Sequence, residues 1–187
     1  TSVENSREII KAVLSAPENY AVVLKETGEA VGSIGIMTSR SEIHSAKMAD
    51  NECEIGFWIG EPFWGQGLIP EAVNEVLRYA FENLRQTAVW CGYFDGNEKS
   101  KRVQEKCGFT YSHTEHNKPA PLMNDFRTEH FTKITLDDWR LLDHLRAASY
   151  PSLTICTKSQ LCDKNVSKQR IQCGQRESSR LRNGKET

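Results

Sequence analysis

Glu52 to Val73, ECEIGFWIGEPFWGQGLIPEAV, is the stretch that most restricts the fold. Ile55, Phe57 and Ile59 alternate with Glu54, Gly56 and Trp58, the two-residue period of a strand. Gly60-Glu61-Pro62 ends that strand, and Phe63-Trp64-Gly65-Gln66-Gly67 reads as a tight turn. A helix is expected from Pro70, whose missing N–H costs no bond there, with Glu71 at the positive end of the dipole. The first amides of a helix have no partners inside it, and glycine lets a ligand come close to the backbone. The corner therefore suits a phosphate or pyrophosphate, although a plain strand-to-helix connection with two geometric glycines reads equally well from this feature alone. No Gly-Lys-Ser/Thr follows the turn, which excludes a nucleoside-triphosphate P-loop. Pro70 stands where a dinucleotide fingerprint has its third glycine, which argues against a Rossmann nicotinamide site.

A second block lies downstream: Asn97-Glu98-Lys99-Ser100, then Glu105-Lys106-Cys107-Gly108-Phe109. Glu54 to Ala72 and this block, in this order, resemble the GNAT N-acetyltransferase superfamily, in its ribosomal-protein-alanine (Rim-type) branch, over roughly Ser2 to Arg140. The broad superfamily motif, registered on Gly67, places Trp64 first and Ile69 last. Trp64 is usual in this branch, whereas Ile69 is bulkier than the Gly or Ala of the motif and is expected to crowd the pyrophosphate.

The resemblance implies an α/β fold: a mixed, mostly antiparallel twisted sheet, helices on both faces and a splayed central strand pair. It implies acetyl-CoA as acetyl donor, an amine acceptor and no metal. By the same resemblance, backbone amides of Trp64, Gly65, Gln66, Gly67, Leu68, Ile69 and Pro70 bind the pyrophosphate. The pantetheine arm pairs with the backbone of Phe57, Trp58 and Ile59, and an N–H near Phe57 or Trp58 polarises the thioester. Asn97 bonds the arm, and Ser100 lies near the sulfur as proton donor. Glu54 is the candidate general base, through a water, with Glu52 as its backup; a solvated strand glutamate paired with a Lys or Arg is the plainer reading. Asn97 is equally explained as a helix cap. Transfer to a protein N-terminus or a small-molecule amine, directly and without an acetyl-cysteine, is the expected function. A non-catalytic acyl-CoA-binding domain, or an inactive fragment of the same fold, is the alternative.

Along the chain, Ile9, Ile10, Val13 and Leu14 make an apolar helical stripe. Tyr20 to Leu24 and Ala30 to Met37 read as a hairpin, and Thr38 to Asn51 as a polar loop. The family's strand and one or two helices before that hairpin are expected to be absent. Val73, Val76, Leu77, Ala80, Phe81 and Leu84 keep helical spacing, and Thr87 to Phe94 reads as a strand buried on both faces. Glu98 to Cys107 is a helix closed by Gly108. Phe109 to Glu115 is a strand, His116 to Asn124 a loop, Asp125 to Thr135 the last strand and Leu136 to Leu145 a short helix.

At 187 residues, residues 1–146 form one acetyltransferase-type domain and 147–187 a basic tail expected to be disordered. The net charge is −1, but residues 147–187 carry +5 and leave −6 on the remainder. The acidic body is compatible with a cationic acceptor. The tail has no aromatic residue after Tyr150 to stack bases, which argues against nucleic acid. The six cysteines, Cys53, Cys91, Cys107, Cys156, Cys162 and Cys173, form no CxxC pair, so reduced thiols in a cytoplasmic protein are expected. His113, His116 and His130 lack ligand spacing around them. No apolar run reaches spanning length, so no membrane partner is expected, and a homodimer stays open.

Overall fold

The computed structural model describes residues 18–40, 46–120, 125–149 and 170–173. The helix expected around Ile9 to Leu14 lies outside them. β1 (Asn19–Leu24) and β2 (Ala30–Thr38) form the hairpin, followed by β3 (Glu52–Ile59), α1 (Leu68–Glu82), β4 (Ala88–Phe94), α2 (Glu98–Cys107), β5 (Thr110–Ala120), β6 (Asp125–Thr135), α3 (Leu136–Ser149) and β7 (Arg170–Cys173). They build one seven-stranded sheet in the order β5-β6-β4-β3-β2-β1-β7. Only the β3–β4 and β1–β7 pairs are parallel. The mixed, mostly antiparallel sheet agrees with the expected fold.

Strand alternation separates two faces. Cys53 and Ile55 of β3 and Val89 and Cys91 of β4 enter one core with Leu68, Val73, Val76, Leu77 and Phe81 of α1, Cys107 of α2 and Trp139 of α3. All three described helices thus lie on one face. On the other face Ala46 and Met48 pack over Trp90 and Phe131. Part of the predicted polar loop is therefore a cover for the sheet.

Several expected boundaries move. α1 begins at Leu68 rather than Pro70, because Gly67 (φ +81°) takes the cap and turns the chain two residues earlier. Pro70 still falls in the first turn, where no N–H is needed. The predicted loop from His116 is strand: β5 runs on to Ala120, with pairing shifts at Tyr111/His113 and Glu115/Lys118. It is the outermost strand, the place in a sheet where proline is tolerated. α3 extends past Leu145 to Ser149. Arg170–Cys173 pairs parallel with β1, although sequence periodicity marks no strand there.

Candidate active site

The pairing of β3 with β4 stops at Ile55–Cys91. Beyond it β3 continues to Ile59 on β2, and β4 continues to Phe94 on β6. The next residues on the two strands are glycines, Gly56 and Gly92, and from there the sheet is split. This is the splayed pair expected. It also explains why Ala88 to Cys91 are buried while Gly92, Tyr93 and Phe94 are only half-buried, against the expectation of a strand covered throughout.

The split leaves a backbone edge of β3 facing a gap. Gly60 donates its N–H to Val31 O on the β2 side at 2.9 Å. By alternation Trp58 also turns its amide and carbonyl toward β2, and Phe57 and Ile59 turn theirs toward the gap. The backbone groups that face the gap are thus those of Phe57 and Ile59, while those of Trp58 are taken up by β2. The Ile59 carbonyl accepts the Trp64 indole N–H at 3.0 Å.

At the end of β3, Glu61–Phe63 forms a 3₁₀ turn. Gly65 (φ +77°) and Gly67 (φ +81°) then hold left-handed conformations, and a Cβ at either would meet no other atom within 4 Å. Here glycine serves backbone conformation and leaves open space above the helix end. The first bond inside α1 runs from Glu71 N–H to Gly67 O at 3.2 Å. Two residues of the predicted pyrophosphate set drop out as amide donors: Pro70 has no N–H, and Trp64 N–H donates to Glu61 O at 3.1 Å. Leu68 and Ile69 send their side chains into the core, so the bulk of Ile69 points away from the loop. The Lys99 ammonium lies 3.2 Å above the Trp64 ring, joining the loop to the start of α2.

Asn97 caps α2, accepting Ser100 N–H on Oδ1 at 3.2 Å, as its cap reading predicts. Ser100 Oγ accepts an N–H of Gln104 Nε2 at 3.1 Å, and the same nitrogen donates to Gly92 O at 3.1 Å. Gln104 Oε1 accepts the Thr132 hydroxyl at 2.7 Å. Sequence reasoning missed Gln104. A buried polar residue among surface residues of a short amphipathic helix gives no local signal.

Glu54 projects from β3 on the face opposite the helices. It is 5 % exposed, and its Oε2 accepts Ala46 N–H at 2.7 Å. The reading of Glu54 as a solvated strand residue does not hold. Glu52 is committed elsewhere: it accepts from Lys133 Nζ at 2.6 Å, Trp90 Nε1 at 2.7 Å and Ala49 N–H at 3.2 Å. Burial pushes its carboxyl up, but the bonds from Lys133, Trp90 and Ala49 outweigh that and leave it below the usual value. The opposite side of the split carries Glu129, 8 % exposed, whose carboxylate meets Lys118 Nζ at 2.9 Å.

Cys53, Cys91 and Cys107 are reduced thiols buried in the core. Burial, with Glu52 and Glu54 nearby, pushes Cys53 up to about 12. His113 stacks on Phe131, His116 Nδ1 meets Thr128 Oγ1 at 3.3 Å, and His130 bonds Asp95 at 3.1 Å. Among the described residues no three His, Cys, Asp or Glu side chains converge as a metal site, and no helix is long and apolar enough to cross a membrane.

The sheet is thus split after Ile55–Cys91, and a glycine loop leads from the open end of β3 into the start of α1. The family model described as "Acetyltransferase (GNAT) domain" matches residues 1–110 of the 187, and the chain belongs to that family. It is 36 % identical over 75 residues to "Putative ribosomal N-acetyltransferase YdaF" of Bacillus subtilis, covering 40 % of this chain and 41 % of that protein. It is 35 % identical over 89 residues to "FsC-acetyl coenzyme A-N(2)-transacetylase" of Aspergillus fumigatus, covering 46 % and 37 %. The chain thus spans about two-fifths of the length of these curated relatives. A GNAT-family acetyltransferase structure from Bacillus anthracis shares the fold, with TM-score 0.59, 23 % identity and coverage of 72 % of this chain and 75 % of that one.

Proposed function

We propose that the chain transfers an acetyl group from acetyl-CoA directly to a primary amine. The observation that carries this is the disposition of Glu54 and Ser100. Glu54 stands on β3 two residues before the split and faces away from the helices, and Ser100 stands on α2, on the helix face, linked through Gln104 to Gly92 at the split. A reaction that takes a proton from an incoming ammonium and gives one to a departing thiolate needs a base and an acid so separated. When bound, acetyl-CoA supplies an activated acetyl thioester. The loop fits its pyrophosphate: amides of Gly65, Gly67 and Ile69 sit at the positive end of α1, with open space over both glycines.

The Phe57 N–H faces the gap and polarises the acetyl carbonyl. Glu54, oriented by Ala46 N–H, accepts the amine proton through a water. Ser100 donates to the sulfur, whose thiol has an ordinary pKa of about 8.5, so the required help is modest. Asn97 offers its Nδ2 protons to the cofactor arm while Oδ1 caps the helix. Cys53, Cys91 and Cys107 are buried, and burial raises Cys53 and Cys91 above the ordinary thiol range, which favours direct transfer over an acetyl-cysteine. The proposed acceptor is a protein N-terminal amine, in line with the word ribosomal in the name of the Bacillus subtilis relative, or a small-molecule amine, and the proposed setting is cytoplasmic.

The test is thiol release from acetyl-CoA against a panel of primary amines and N-terminal peptides. Glu54→Gln keeps an acceptor for Ala46 N–H and should lower turnover roughly 100-fold or more, the usual contribution of a general base. Ser100→Ala should also slow turnover, and both variants should bind acetyl-CoA as the native chain does. Full turnover in both variants would remove the catalytic assignment, and tight binding with no transfer to any amine would favour a non-catalytic acyl-CoA-binding domain.

A further inference from the structure

Gln104 is 1 % exposed, one turn after Ser100 on α2, and its amide meets three groups. Nε2 lies 3.1 Å from Gly92 O and 3.1 Å from Ser100 Oγ, and Oε1 lies 2.7 Å from Thr132 Oγ1. The Gly92 carbonyl can only accept, so the amide must turn its NH₂ end toward it. That fixes the second NH₂ proton on Ser100 Oγ. The amide oxygen then requires a donor, and Thr132 supplies its one hydroxyl proton. Thr132 Oγ1 also lies 3.1 Å from Cys91 O, but the contact to the amide oxygen is the shorter.

We propose that Gln104 is a positioning residue that fixes the hydrogen-bond polarity of Ser100. Ser100 Oγ receives a bond on a lone pair from Gln104 and cannot donate back to it, so the serine O–H is held for another acceptor. The inference rests on the reading of Ser100 as the group that meets the departing thiolate. It gives the acid step a device anchored on the split itself, since Gly92 is the first residue of β4 beyond the last pair with β3. No group in the network Thr132, Gln104, Gly92 and Ser100 carries a charge, so the polarity holds across the working pH range.

The probe is coenzyme A, which needs no known acceptor. Its bound thiol is titrated by thiolate absorbance in the native chain, in Gln104→Met, in Ser100→Ala and in the double variant. A serine that donates to sulfur favours the thiolate. Ser100→Ala should raise the bound thiol pKa by about one unit, a tenfold loss of thiolate at fixed pH. Gln104→Met should raise it by a similar amount, and the double variant no further than Ser100→Ala alone. Thr132→Val, which keeps the side-chain shape and removes the hydroxyl that meets Oε1 and Cys91 O, should shift it the same way by less and serves if Gln104→Met fails to fold. If Ser100→Ala raises the pKa while Gln104→Met and Thr132→Val leave it native, or if the shifts of the two residues add, Gln104 does not act through Ser100. If Ser100→Ala changes nothing, the acid assignment falls and the proposal with it. No saturable coenzyme A binding would overturn both this inference and the proposed function.

Discussion

Gly67→Ala separates backbone strain from ligand contact, because a matched control exists in the same chain. Gly67 (φ +81°) and Gly28 (φ +71°) are both left-handed, and a Cβ at either meets no atom within 4 Å. Alanine at either position therefore carries only conformational strain, about 1–2 kcal/mol. For a chain of this size that lowers the melting temperature by roughly 2–8 °C in both variants. Their ligand effects should diverge. The methyl of Gly67→Ala stands at the cap of α1, where the pyrophosphate is to approach, whereas Gly28 lies in the β1–β2 turn. Loss of one charge-assisted amide bond costs about 1.5–3 kcal/mol, or roughly 10- to 100-fold in Kd. Scanning calorimetry measures the strain and titration with coenzyme A measures the affinity. Equal affinities in Gly67→Ala and Gly28→Ala, with equal melting shifts, would refute the placement of the pyrophosphate on this loop.

The Glu52 carboxyl lies below its usual value, so its contribution to stability is present above the unfolded carboxylate pKa of about 4.3 and is lost as pH falls through the folded value. Glu52→Gln should lower the unfolding free energy from urea titration at pH 7 by an amount on the order of 1 kcal/mol, and the gap to the native chain should close in acid; a gap independent of pH would deny the ionic role. Cys53 is raised to about 12 by burial and by its glutamate neighbours, so iodoacetamide at pH 8 should leave it unmodified in the folded protein and label it in urea, as peptide mass spectrometry reads out. Labelling of native Cys53 at the rate of an unfolded thiol would contradict that burial.

Features with a local cause were the legible ones. Gly65 and Gly67 announce themselves because left-handed backbone selects glycine, and Asn97 because its side chain caps the turn it precedes. The two blocks that carry the family resemblance are of this kind. What escaped depended on partners far along the chain. Gln104 takes its meaning from Thr132 and Gly92, and Glu54 from a loop residue that folds back over the sheet. Pro119 misled in the other direction: proline reads as a breaker until the strand that holds it is known to be outermost. The start of α1 moved because Pro70 was given the first helical position, which Gly67 had already assigned to Leu68.

An exposed strand edge is a hazard in most sheets, since any extended chain can add to it. The break after Ile55–Cys91 places such an edge in the interior of the sheet, between two strands that remain fully paired on their outer sides. A polypeptide entering there would have to bring side chains past Phe57 and Ile59 on one lip and Tyr93 on the other. A thin chain with amide groups and no branches meets no such obstacle. The protein thereby keeps the adhesiveness of an unfinished sheet while denying it to other proteins.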